Sequence, residues 1–463
     1  MPLDAPDLLK ERAHFSRAES RELGKSLRRV IARSELAERR PSSRDAVAHL
    51  REQNETRVPD LVPLRMERML ASPFAFYRGT AGLMALDLGR DPHSGILVAA
   101  CGDAHISNFG FYASPERQLV FDLNDFDEAA VAPWEWDVKR LIASVVIGGR
   151  EAGYDERDVV RIAARAFAQY VAVLRQLIEL SPAGRFFMHL NVESARRQLS
   201  SEGRRVLHAA LAAAERRTAA RAVHRTTERE HDGKLRFVEN PPTMVRFRLD
   251  DATPVPGAER PESIHALFAQ YRDTVSIDID TVLAQYEPTD LARRVVGVGS
   301  VGTRCYLQLL QGADKDALLL QVKEAGESVL SQYGRIQQPA RITEGVAAHG
   351  QGFRVVGMQR VLQAVTDPFV GHLQAGGRDF YVRQFHDMKG SVELGGLPLD
   401  AFSDYVASCG GLLGRAHAQS PTAGQILGYI GRSDAASRAI VTWSIAYADQ
   451  SMRDFEEATA TTW

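Results

Sequence analysis

Residues 98–128 read V-A-A-C-G-D-A-H-I-S-N-F-G-F-Y-A-S-P-E-R-Q-L-V-F-D-L-N-D-F-D-E. No other part of the chain sets so many chemically capable side chains between two short apolar runs. The runs 96–100 and 118–121 have strand length and strand residues, so 102–108 and 122–128 are expected as loops leaving strand ends. Loops carried by a rigid scaffold are where chemistry usually sits. The next segment, A-P-W-E-W-D-V-K-R-L-I-A-S-V-V, returns Trp136, Val138, Leu141, Ile142 and Val145 at helical spacing. Asp137 falls in the first turn of that helix, where the backbone dipole favours a carboxylate, and serves either as a cap or as a brace for the preceding loop.

Upstream, residues 61–89 have the small and apolar side chains of a buried helix pair broken near Pro73. Arg78 is the odd member there. A buried guanidinium needs an anion, and an acidic side chain is the first expectation, a substrate the second. Residues 6–55 are rich in Arg, Lys and Glu and read as a helical arm, with Arg28, Arg29 and Arg33 on a solvated face. Downstream, Val159, Ile162, Phe167, Tyr170, Leu174, Leu177 and Ile178 mark the apolar stripe of a helix over 155–180. The arginines of 194–231 are interleaved with Glu and lack aromatics, which suits a solvated helix better than a nucleic-acid surface. Turn residues in 234–257 mark a boundary, and one more helix covers 263–275. The pattern then switches to strands: 304–310 and 318–323 flank the turn 312–316 as an antiparallel hairpin, and 379–385 is a further strand. Helices return at 402–418 and 440–457.

At 463 residues the chain exceeds the usual single core, so two or three packed units are expected. Its hydrophobic content of 44% and charged content of 25% are ordinary for a soluble globular protein. A formal net charge of −2 gives no whole-chain argument for nucleic acid or an anionic membrane, so any anion site must be local. Cys101, Cys305 and Cys409 are too few and too far apart for a disulfide framework or a Cys-based zinc site, which fits a reducing cytoplasm. No signal-peptide core is present and no apolar run has membrane-spanning length. The expectation is a cytoplasmic protein with neither nucleic acid nor membrane as partner.

The chemistry concentrates in two constellations. Asp103, Asn108 and Asp122 supply what phosphoryl transfer needs, with Asp125 as a further metal-ligand candidate. One carboxylate can orient or deprotonate an attacking hydroxyl, and the other oxygens are hard ligands for magnesium. The second constellation, G-V-G-S-V-G, places Gly297, Gly299, Ser300 and Gly302 ahead of a hairpin whose second strand ends in Q-V-K-E-A. Glycines on a hairpin let backbone amides approach phosphates, and Lys323 reaches the same phosphates as a point charge. A dinucleotide fold would open a helix directly after the glycines, and T-R-C-Y-L-Q-L-L does not read as one.

The first constellation resembles the catalytic loop and metal-binding segment of the protein-kinase-like superfamily in its aminoglycoside-phosphotransferase style. G-D-A-H-I-S-N is similar to H-G-D-x-x-x-x-N, with Cys101 in place of the His, and V-F-D-L-N-D is similar to I-D-F-x-D. W-E-W-D-V-K-R-L resembles the following segment, whose Asp braces the catalytic loop. The second constellation resembles the Gly-rich loop and strand-three lysine, with Arg304 where kinases place Val. The resemblance implies Asp103 as catalytic base, Asn108 and Asp122 as metal ligands, Lys323 as the phosphate-pairing lysine, and ATP with Mg2+ as cofactors. Glu344 is the first choice for the partner of that lysine, with Glu324 and Glu327 as alternatives.

Because the glycines follow the catalytic loop here, the order implies a circularly permuted, two-lobed α+β fold. A small antiparallel β lobe would span 286–395 and a mainly helical large lobe 61–235, linked by 236–285 and completed by helices in 396–463. There G-L-L-G-R-A-H-A resembles the helix that normally leads into the catalytic loop, and residues 1–60 are extra N-terminal helices. The whole chain also resembles an uncharacterised conserved bacterial family with the blocks F-Y-R-G, G-D-A-H-x-x-N-F-G, N-D-F-D-E and Y-V-R-Q-x-x-D-M-K-G-S.

The expected activity is phosphoryl transfer from nucleotide to a small-molecule hydroxyl, since no activation segment is evident. Two other readings stand beside it. D-A-H is the D-x-H of binuclear metallophosphoesterases, in which His105, Asp122, Asp125, Asp127 and His417 would complete two metal sites, although no G-N-H-x element follows. A nucleotide-binding regulator, or pseudokinase, without transfer activity is the third, and the trio Asp103, Asn108 and Asp122 argues against it.

Overall fold

The computed structural model describes residues 15–40, 44–188, 196–197, 199–247, 264–295, 297, 301–385 and 390–463. The architecture is α+β, small antiparallel sheets among many helices. Strand β1 (Leu97–Ala100), β2 (Phe109–Ala113), β3 (Leu119–Leu123) and β4 (Ala130–Pro133) make two ribbons, β1 with β4 and β2 with β3. Ala100 stands opposite Ala130 and Phe109 opposite Leu123, so the loops 101–108 and 124–129 leave the ribbons side by side. That register brings the two carboxylate-bearing loops together.

Under them runs the helix Trp134–Glu151, in which every residue from Trp134 to Ile147 is buried. It packs among the helices Glu156–Ile178, Leu399–His417 and Ala435–Thr459. Trp134 stacks on Tyr170, and Trp443 on Tyr447, in a core whose large side chains each contribute about 1.5–3 kcal/mol by leaving water. The apolar stripe read from 155–180 faces this core: Val159, Ile162, Phe167, Tyr170 and Leu174 are all buried in it.

After the small ribbon of β5 (Thr227–Arg229) and β6 (Leu235–Phe237) comes a six-stranded antiparallel sheet. Its strands are β7 (Met244–Phe247), β8 (Glu287–Arg294), β9 (Cys305–Gln311), β10 (Ala317–Glu324), β11 (Gly371–Ala375) and β12 (Arg378–Gln384), in the order β11-β12-β10-β9-β8-β7. The hairpin read from the sequence is β9 and β10. Side-chain alternation divides β10 between two surfaces. Leu318, Leu320 and Val322 pack with Phe268 and Tyr271 of the helix Ile264–Arg272, while Leu319 joins Leu307, Leu309 and Phe237 on the other side. Gln321 and Lys323 continue that second face to the carboxylate loops. Residues 236–285, read as a connection, therefore supply the edge strand β7 and a helix packed on the sheet. The helix Gln351–Leu362 joins the two bodies: it packs on β11 and β12 and sends Val355, Val356 and Leu362 into the main core.

The N-terminal segment is docked rather than solvated along its basic face. Arg28 Nε and Arg33 Nη1 donate to the carbonyls of Tyr429 (2.9 Å) and Ile430 (2.8 Å), at the carboxyl end of the helix Ala423–Ile430. Unpaired carbonyls and the dipole favour cations there. Arg29 is exposed, as expected. Arg44 forms buried ion pairs with Asp87 and Asp454, tying residue 44 to the helices Ala81–Leu88 and Ala435–Thr459. Among the described residues, no helix is long and apolar enough to cross a membrane.

Candidate functional site

Where β1 ends, the chain turns at Gly102, with φ +79°, and a Cβ there would stand 2.3 Å from the Glu128 carbonyl oxygen. Glycine alone passes this close in that conformation. The turn is held by one face of the helix Trp134–Glu151. Cys101 N donates to Asp137 Oδ2 (2.6 Å) and Gly102 N to Asp137 Oδ1 (2.8 Å). Arg140 Nε donates to Asp103 Oδ1 (2.9 Å), and Ile106 N to Ser144 Oγ (3.0 Å). Positions 137, 140 and 144 share a helix face, so the loop lies along that face as along a rail. His417 extends the support, with Nε2 3.1 Å from Asp137 Oδ2 and Nδ1 2.9 Å from the Tyr170 hydroxyl. Of the two roles open to Asp137, the structure shows the brace.

A cavity of about 820 Å3 opens over this loop, lined among others by Asp103, Asn108, Asp125, Asp127, Gly297 and Lys323. Lys323 enters from β10 with Nζ 3.1 Å from Asp125 Oδ1 and 2.6 Å from Asp127 Oδ2, over the ring of Tyr381. Burial opposes its charge, but Asp125 and Asp127 outweigh that and hold the ammonium's pKa well above its ordinary value. Burial pushes the Asp127 carboxyl up, Asp125 adds to the rise, and Lys323 pulls it back.

Asn108 spends its amide nitrogen on the carbonyls of Asp103 (2.9 Å) and Asp125 (3.0 Å), joining the two loops and leaving its oxygen for a cation. Asp127 Oδ1 is buried without a hydrogen-bond partner beside these groups. Such an orphaned oxygen next to a second carboxylate suits a hard divalent ion. Among the described residues, no group of three or more His, Cys, Asp or Glu could hold a metal. A cation here would therefore need oxygens from its ligand, as magnesium shared with phosphates does.

Asp122 lies elsewhere. On β3, opposite Gly110, it is fully buried and accepts from Ala364 N (2.7 Å) and Leu123 N (2.9 Å). Burial raises its pKa, and Arg415 partly offsets this. It does not line the cavity; strand geometry points it into the protein, and Asp125 and Asp127, in the loop beyond, meet Lys323 instead. Glu344 is exposed on the helix Ala340–His349 and is not at Lys323 either. Glu324 and Glu327 line the cavity, but Glu324 pairs with Arg304 (3.2 Å) and Arg378 (2.6 Å). The helix Gln351–Leu362 offers Arg354, not a glutamate, and its Nη2 donates to the carbonyls of Asp127 (2.9 Å) and Gly326 (2.8 Å).

Gly297 lines the cavity, and Gly302 takes φ +85°. Gly299 and Ser300 lie outside the described residues. His105 is buried 3.6 Å from Asp103 Oδ2, and burial pushes its pKa down to about 4, so it is neutral near pH 7. His417 is committed to Asp137 and Tyr170, which separates it from the binuclear metal set considered above.

Several residues that line or brace the site had no mark in the sequence reading. Arg140 could have been found three positions after Asp137 on the bracing face. Arg383 sits two residues after Tyr381 on β12 and bonds Gln321 Oε1 and the Asn124 carbonyl, both at 3.0 Å. Its signal is strand alternation opposite Gln321. Arg57, from the N-terminal segment, had no local signal.

A family model described as an uncharacterized protein conserved in bacteria (DUF2252) matches residues 57–461. Neither a curated protein nor a solved structure matches the chain. The matched span contains both loops, the lysine strand and the bracing helices, so Asp103, Asn108, Asp125, Asp127 and Lys323 all fall inside it. The chain belongs to this bacterial family, DUF2252.

Proposed function

We propose that the protein is an ATP- and magnesium-dependent phosphotransferase of kinase-like architecture, with its two lobes in permuted order and a small-molecule hydroxyl as acceptor. The observation that carries this is the placement of Lys323. It stands on the third strand counted from β8, which leads into the glycine segment, and it projects onto Asp125 and Asp127 in the cavity that also holds Asp103. Kinase-like transfer uses these parts: a glycine-rich cover, a lysine on the third strand, Asp and Asn ligands for magnesium, and an Asp that receives the hydroxyl proton.

In this assignment Asp125 takes the metal-ligand role first given to Asp122, with Asn108 and Asp127 beside it. Magnesium, when bound, would neutralise charge on the phosphates. Asp103 is the base: Arg140 engages Oδ1, which leaves Oδ2 for a substrate hydroxyl. Asp137 and His417 keep that loop in place. Lys323 departs from the usual pattern in pairing with two aspartates rather than a helix glutamate, and this keeps its ammonium charged and aimed into the cavity.

Calorimetric titration with ATP, with and without Mg2+, and transfer assays with α- and γ-labelled ATP against a metabolite panel test the reading. ATP should bind only with Mg2+; Asp125→Asn should abolish binding, and Asp103→Asn should keep binding and stop transfer. Label from the γ position reports phosphoryl transfer and label from the α position adenylyl transfer. No Mg2+-dependent ATP binding by the wild type would sink the reading, and binding without transfer of either label would assign the regulator.

A further inference from the structure

Two arginines from the N-terminal part of the chain stand in the cavity without a role in the scheme above. Arg57 precedes the helix Val62–Met69, and Arg78 closes the helix Pro73–Gly79; both line the cavity. The Nε and Nη1 of Arg57 and the Nε of Arg78 are buried and have no hydrogen-bond partner. Burial lowers the pKa of both guanidinium groups, although Glu128, Glu324 and Asp127 act on Arg57, and Asp103 and Asp125 on Arg78. Those carboxylates supply charge at a distance but no acceptor for the open N–H groups. A buried guanidinium in that condition is costly, and an anion that accepts from it removes the cost.

Their positions say which anion. Val58 N donates to the Gly302 carbonyl at 2.7 Å, and the Cβ of Arg57 lies 3.0 Å from where a Gly302 Cβ would stand. Arg78 Nη2 lies 3.9 Å from the corresponding point at Gly297. The Arg57 side chain therefore packs its aliphatic stem against Gly302 at one end of the glycine segment, and the Arg78 guanidinium stands at Gly297 at the other, where Asp103 and Asp125 act on it. Both arginines line the one cavity and touch different ends of that segment, so a chain of phosphates in it offers acceptors to both, and each planar fork can take two phosphate oxygens, which the Lys323 ammonium cannot.

We propose that Arg57 and Arg78 form a polyphosphate clamp, so that the N-terminal segment completes the anion site and the ligand class is a triphosphate chain. The clamp deepens the reading above and rests on it only for the choice of a nucleotide.

The test uses the full chain and three probes: Mg·ATP, inorganic tripolyphosphate and adenosine. Arg57→Gln and Arg78→Gln should each weaken Mg·ATP and tripolyphosphate by about tenfold to a hundredfold, the worth of a charge-assisted hydrogen bond, and leave adenosine binding unchanged. Because no protein partner is lost at the orphaned nitrogens, the unliganded Tm of both variants should equal or exceed that of the wild type. Arg57→Lys, which keeps charge without the fork, should recover only part of the affinity.

Wild-type affinity for tripolyphosphate in the Gln variants overturns the clamp, as does a fall of several degrees in unliganded Tm or failure to fold, either of which would make the arginines structural. Tripolyphosphate binding without ATP binding by the wild type upholds the clamp and removes the nucleotide. If neither binds, both proposals fall.

Discussion

Replacing Lys323 by Met removes one ammonium and keeps most of the apolar stem on β10. Deleting one member of a buried ion pair costs about 3–5 kcal/mol, because the other charge is left behind. The lysine side chain is 3% exposed, and two carboxylates depend on it. Asp125, at 42% exposed, passes much of its charge to water, whereas Asp127, at 25% and with one oxygen already lacking a partner, keeps most of the penalty. The substitution also recovers the cost of burying the ammonium. The expected loss is thus at the lower end, about 3 kcal/mol. For a chain of this length melting as one unit that is about 3 °C in Tm, and more if the sheet body melts separately. Calorimetry on wild type, Lys323→Met, Asp127→Asn and the double variant measures it. The double should regain most of the loss, a coupling of about 2 kcal/mol. An unchanged Tm in Lys323→Met, or no rescue by Asp127→Asn, refutes the reasoning, since either result would mean that Asp127 does not depend on the lysine.

Other outcomes follow from the same geometry. Asp137→Ala strands the amides of Cys101 and Gly102, at about 1–3 kcal/mol for each buried donor; amide exchange should accelerate at 101–106, and unchanged protection there would count against the brace. Asp122→Ala removes the acceptor of Ala364 N and Leu123 N and leaves Arg415 uncompensated, so it should lower stability by about 1–3 kcal/mol for each stranded donor while Mg2+-dependent nucleotide binding persists. Lost binding at a normal Tm would return Asp122 to the site. Burial lowers His49 and His105 to about 4. The unfolded chain then binds more protons between pH 6.5 and 4, so stability is present above the unfolded pKa and is lost as pH falls through that window, by up to about 3 kcal/mol per histidine. His49→Gln should flatten part of that drop in a pH series of Tm values, and an identical slope would show that His49 is not its source.

Local pattern made much of this protein legible. Alternating apolar runs marked β9, β10 and β12, the 3.6-residue stripe marked the long helices, and the carboxylate-rich loops between strand-like runs marked half of the site. These signals are read within about twenty residues because secondary structure imposes its period on neighbouring side chains. Asp137 could be named for the same reason: it sits in a first helical turn just after the loop.

The choice among Asp122, Asp125 and Asp127 was not local. Spacing put all three within six positions, but one pleat turns Asp122 inward, and only the approach of β10 shows which carboxylates meet Lys323. Glu344 failed as a partner because its helix carries it to the surface, while Arg354 of the next helix reaches the loop. Arg57 and Arg78 reach the glycine segment across more than two hundred residues of sequence, through packing of the N-terminal helices that no periodicity records. The sequence by itself determined the elements and the kinds of chemistry they carry. The tertiary structure decided which charges meet, because the cost of burying a charge is settled only by what packs against it.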